Sequence, residues 1–127
     1  MLRQRAAVFL ILLFVTCCGG GGNGPATAPD PARAEPIVNV TARGFEPPSV
    51  VVAVGGRVRF QNFDDRSHSI ASNPVDTHTD CPGINEVGLL VPGQVKATAP
   101  FREPRTCGYH DELSEATQLL TGTISIR

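Results

Sequence analysis

Methionine is missing from this 127-residue chain after Met1, tryptophan is missing altogether, and lysine occurs once, at Lys96. Beyond position 1, therefore, no thioether is available to coordinate a metal. Eleven basic residues against twelve acidic ones give a net charge of −1. That balance offers no basic patch, and nucleic acid is excluded as a partner because phosphate binding needs clustered Lys and Arg. There is no glycine-rich phosphate loop and no serine-centred elbow. A nucleophilic pair of Cys107 and His110 would need a cleft and an oxyanion site, which so small a domain rarely supplies, so no enzyme is expected. No apolar run reaches the ~20 residues needed to cross a bilayer as a helix.

The longest apolar run, Ala6 to Val15, follows Arg3 and Arg5 and reads as the core of an export signal. It ends at Thr16-Cys17-Cys18-Gly19, which resembles the signal of a bacterial lipoprotein. Residues 1–18 are thus expected to be a signal peptide, with Cys17 or Cys18 lipidated. Ordinary signal cleavage is the alternative. Residues 19–36, rich in Gly, Pro and Ala, hold almost nothing to bury and are expected to be a disordered tether. Together these place the chain outside the cytoplasm, in the periplasm or on the extracytoplasmic face of a bacterial membrane, anchored by lipid.

Residues 37–127 remain for one domain, with eight basic and ten acidic side chains. A domain of this size buries a modest core and gains from a metal or a disulfide. Alternation of apolar and polar residues dominates, and no helical period is sustained. Strands are predicted over residues 37–43, 49–54, 57–62, 67–72, 94–99, 105–109 and 121–127, separated by Pro47-Pro48, Gly55-Gly56, Asp64-Asp65 and Pro92-Gly93. Seven short strands with such punctuation indicate an all-β sandwich. Residues 73–92 have no clear period, and a segment that long is either functional or holds a short helix. Phe60, Phe63 and Phe101 are expected in the core, with Tyr109 either packing there or lining a site.

Cys107-Gly-Tyr-His110 precedes the final strand, and His68 follows the turn Asn62-Phe-Asp-Asp65. One thiolate and two imidazoles are the donor set preferred by a copper ion that alternates between two oxidation states. Gly44-Phe45-Glu46-Pro47, Val50, Gly55, Val58, Phe60, Asn62, Asp64 and His68, then Pro92-Gly93, Cys107, His110 and Gly122 to Ile126, resemble the cupredoxins along nearly all of residues 37–127. The resemblance implies a Greek-key β-sandwich, one copper ion held by His68, Cys107 and His110, and single-electron transfer to a redox partner protein. It also implies an axial methionine near Leu120, which this chain lacks. That leaves the axial side empty, or filled by Gln118, by a backbone carbonyl or by Glu112. Asn62 would tie the ligand-bearing loops together, or simply satisfy its own turn.

The residues leave a second arrangement open. Cys81 and Cys107 are the only cysteines of the domain, and two cysteines in an exported protein most simply form a disulfide. Cys107 is then lost as a ligand. His78, three residues before Cys81, is drawn toward His110 and His68, giving a histidine-only copper site suited to binding or delivery. A metal-free sandwich is the third possibility.

Overall fold

The computed structural model describes residues 34–115 and 117–127. The expected signal peptide, with Cys17 and Cys18, and most of the tether lie outside the described residues. Nine strands appear among the described residues: β1 (Ile37–Thr41), β2 (Gly44–Glu46), β3 (Ser49–Val52), β4 (Arg59–Asn62), β5 (His68–Ser72), β6 (Gly88–Leu90), β7 (Val95–Ala97), β8 (Arg105–Asp111) and β9 (Thr121–Ile126). They form a four-stranded sheet in the order β2-β1-β4-β7 and a five-stranded sheet in the order β3-β9-β8-β5-β6. The two pack face to face as a Greek-key β-sandwich.

Period-two patterning sets which side of each strand is buried. In β3, Val50 and Val52 point inward while Ser49 and Val51 stay exposed. In β9, Ile124 and Ile126 point inward while Thr121 and Thr123 do not. Two parallel pairings hold the sheets in register, with Val38 beside Phe60 and Val50 beside Ile124. Each such side chain contributes about 1.5–3 kcal/mol by leaving water, which is what joins the sheets.

The sequence pattern missed two strands, β2 and β6. Both are three residues long and lie at sheet edges, too short to show a period. β6 falls within the segment 73–92, which also contains the expected short helix as a single 3-10 turn, Pro82–Glu86. Phe63 corrects an expectation. Phe60 and Phe101 are buried, but Phe63 is 62% exposed. Phe60 and Phe63 are an odd number of residues apart, so a chain leaving β4 turns them to opposite sides.

At the centre, Tyr109 packs edge-to-face on Phe45 and Phe60, with ring centroids 4.8 and 5.1 Å away. It lies flat over Gly122, where a Cβ would overlap its ring and hydroxyl. The Tyr109 hydroxyl is buried without a partner, and burial pushes its phenol well above the usual tyrosine range. An unpaired buried hydroxyl is a liability, whereas the apolar isostere is not. Tyr109→Phe should therefore leave stability unchanged or raise it by about 1 kcal/mol, measured by urea unfolding. A loss larger than that would mean the hydroxyl has a partner after all.

Candidate metal centre

Strand β8 decides the fate of the expected thiolate. The strand expected over residues 105–109 leaves His110 on the loop beyond it, but β8 continues unbroken to Asp111. Successive side chains of a strand point to opposite faces. Cys107 pairs with Ile124 and faces the core, whereas His110 pairs with the exposed Thr121 and faces outward. One ion cannot reach both. In addition, Cys107 is bonded to Cys81 through their Sγ atoms, with Cα atoms 5.9 Å apart. The set His68, Cys107 and His110 is not brought together, and Cys107 holds no free sulfur.

His68 is also committed elsewhere. Its Nδ1 lies 2.8 Å from Asp111 Oδ2 and its Nε2 lies 3.1 Å from Asp64 Oδ2, so both ring nitrogens already face a carboxylate oxygen. Asp111 is buried, and its other oxygen accepts the backbone N–H groups of Ser69 and Leu113 at 2.7 and 3.1 Å. Burial raises the Asp64 carboxyl, but hydrogen bonds from Asp65 and His68 and the charge of Arg66 outweigh it and hold it below the usual carboxylate range. This knot closes the floor of a pocket of about 270 Å³ at one end of the sandwich, with Gln118 and Leu120 in its wall. Asn62 does not tie the expected ligand-bearing loops together; it braces its own turn and fastens that turn to the end of β6. Its amide donates to the carbonyls of Arg66 and Leu90 and accepts from the N–H of Asp64.

A different group of donors assembles on the outer face of β5 and β8. Nitrogen or oxygen atoms of His78, His110 and Glu112 all lie within 4.8 Å of one another. His110 and Glu112 are two residues apart and so share a side. His110 is completely buried, and its Nδ1 donates to Asn73 Oδ1 at 2.9 Å. That bond leaves Nε2 as the acceptor nitrogen, and Nε2 has no partner. Burial, and then the neighbouring His78, push the His110 imidazole below the usual histidine range, against the opposing pull of Glu112 and Asp111. His110 is therefore neutral at pH 7, as a metal ligand must be.

The rest of the group is held just as deliberately. The ring of His78 lies 5.3 Å from that of His110, centroid to centroid. Its Nε2 is 3.3 Å from Glu112 Oε1 but out of line for a hydrogen bond. Glu112 Oε2 accepts the Ser69 hydroxyl at 2.9 Å. Asn73 reaches His110 because Gly108 makes room: a Cβ at 108 would collide with the Asn73 amide. The Asn73 N–H donates to the Gly108 carbonyl at 3.0 Å, fastening the start of the His78 loop to β8. An imidazole whose far nitrogen is hydrogen-bonded to an amide oxygen is the usual form of a metal-binding histidine.

Of the histidine-only set His68, His78 and His110 that the sequence leaves open, the structure brings together His78 and His110 but not His68, and Glu112 enters the sequence reading only as an axial possibility. The signal for all three was available in the mirrored spacings His78-x-x-Cys81 and Cys107-x-x-His110, with Glu112 two residues on.

No family model matches the sequence, and no curated protein is similar enough to count as a relative. Solved structures do resemble it. The chain aligns with "Novel Purple Cupredoxin from Nitrosopumilus maritimus" at 16% identity and a TM-score of 0.54, covering 73% of this chain and all of that one. A reduced amicyanin variant gives 18% identity and a TM-score of 0.57 over 81% of this chain and 95% of its own. A variant plastocyanin of fern gives 19% and 0.54 over 72% and 99%. The chain has the cupredoxin fold. Within that cupredoxin framework the cysteine of β8 is spent on a disulfide, and the unpartnered imidazole stands on the outer face of a sheet.

Proposed function

We propose that this cupredoxin-fold chain is an extracytoplasmic copper(II)-binding module, with one ion held by His78, His110 and Glu112. The observation that carries the reading is the buried, neutral His110 whose Nε2 faces His78 and Glu112 with no hydrogen-bond partner of its own. Two imidazoles and a carboxylate are borderline-to-hard donors. They suit copper(II), which heads the divalent affinity order, and zinc next to it; they do not suit copper(I). The fold shared with copper proteins favours copper.

Without a thiolate, the site lacks the donor that keeps copper geometry similar in both oxidation states. Binding and delivery to a partner thus fit it better than fast electron relay. His78 and Glu112 are partly exposed, which leaves open positions through which an ion can be taken up or handed on. The apolar run at 6–15 and the Gly- and Pro-rich stretch after Cys17-Cys18 support export and lipid anchoring, with the domain tethered outside a bacterial membrane. The module is read as a carrier and not as an enzyme.

Copper(II) titration of the protein, followed by visible spectroscopy, tests this. One ion per chain should bind with only a weak absorption band. An intense thiolate charge-transfer band would restore Cys107 as a ligand, and the absence of any uptake would leave a metal-free sandwich.

A further inference from the structure

The Cys81–Cys107 disulfide joins the two segments that carry the histidines, at equal remove from each. His78 lies three residues before Cys81, and His110 lies three residues after Cys107. We infer that this bridge makes the metal site conditional on oxidation: the triad is assembled once the two thiols are joined, and the reduced chain does not hold the ion. The inference rests on the copper-binding reading above and adds its regulation.

Three observations carry it. First, the sulfurs act by position alone. Cys107 faces the core and His110 the opposite face of β8, so free thiols would not join the ligand set where the sandwich stays folded. Second, His78 is held in an unfavourable conformation. Its φ is 54°, in the left-handed region that a side chain with a Cβ rarely adopts. Such a residue persists only where its surroundings over-determine it. Here the Pro74 carbonyl accepts its N–H, Asn85 donates to its carbonyl, and the bridge pins the chain three residues on. The bridge is the one covalent member of that set, and removing it lets the loop relax away from Glu112. Third, Cys81 forms part of the wall of a cleft of about 520 Å³, with Pro82, Phe101, Arg102 and Arg105. Cys81 is 5% exposed and Cys107 fully buried, so a thiol–disulfide exchange partner would have to reach Cys81 by way of this cleft, which none of the three metal donors lines.

The chemistry balances without the metal. The thiols of Cys81 and Cys107 give two electrons and two protons to a protein disulfide, which leaves as a dithiol, and the Cys81–Cys107 bond forms. A dithiol reductant reverses the step, leaving as a disulfide, and the donor set disperses. A chain made in a reducing compartment would thus stay empty until oxidised.

The test compares copper(II) affinity, by chelator competition, in the oxidised full-length chain and in its Cys81→Ala/Cys107→Ala and His110→Ala variants. Cys17 and Cys18 are common to all three, so differences report on the site. The double variant, with its β spectrum retained in far-ultraviolet circular dichroism, should bind at least about tenfold more weakly, the loss of a preorganised loop. Equal affinity in the double variant and the wild type, with weak binding in His110→Ala, would overturn the inference and leave the site standing. Weak binding that His110→Ala does not change would remove the site and the inference together. If the double variant does not fold, linkage provides the second measurement: zinc(II) must shift the thiol–disulfide equilibrium of the wild type in glutathione buffer toward the disulfide, by the factor by which zinc(II) itself binds the oxidised chain more tightly. No shift, or a shift toward thiols, overturns the inference.

Discussion

Replacing His110 with alanine should weaken copper(II) binding at least about a hundredfold, because loss of a mere outer hydrogen bond already costs 10–100-fold in metal affinity. Replacing His68 should leave binding almost unchanged. The contrast separates the two histidines that the sequence could have assigned to one ion. His110 offers a lone pair held neutral by burial and aimed at two further donors. His68 spends both nitrogens on Asp64 and Asp111. A metal competing for His68 would first have to break two hydrogen bonds to carboxylates in a largely buried site. If His68→Ala abolishes uptake while His110→Ala does not, the outer-face site is wrong. The end of the sandwich is then where the ion sits.

The second large effect is on stability. Asp111→Ala should destabilise the domain by about 3 kcal/mol or more, because three donors lose one buried acceptor at about 1–3 kcal/mol for each left unpaired. The reason lies in what one carboxylate satisfies: it accepts from the His68 ring and from the N–H groups of Ser69 and Leu113. Asp111→Asn keeps one carbonyl-type acceptor and should lose less. Equilibrium denaturation of both variants checks the order. Equal stability of Asp111→Ala and wild type would mean that water or a neighbouring group takes over all three bonds. The expected loss is large against the 5–15 kcal/mol typical of a whole domain.

Much of the architecture is legible in the sequence. The alternation in residues 49–52 and 121–126 places valines and isoleucines on one face, and burial follows it. Expected strand ends moved by one or two residues. One such shift had chemical consequences. Ending β8 at Tyr109 puts His110 on a loop, free to turn toward Cys107. Running it to Asp111 sends the two side chains to opposite faces. A two-residue error at a strand end is small for a fold and decisive for a site, because a strand changes sides at every residue.

Sequence alone settled what this chain is made to bury and what it lacks: an all-β sandwich of alternating strands, no thioether after Met1, and a small set of candidate donors. Those are properties of residue type and period, which are local. Which cysteine met which, and which histidine kept a free nitrogen, depended on residues far apart in the chain. Cys81 meets Cys107 across 26 positions, and Asn73 meets His110 across 37. Only the packed sheets and the loop laid over them bring such atoms within bonding distance, so the tertiary structure chose among donor sets that the composition had left open.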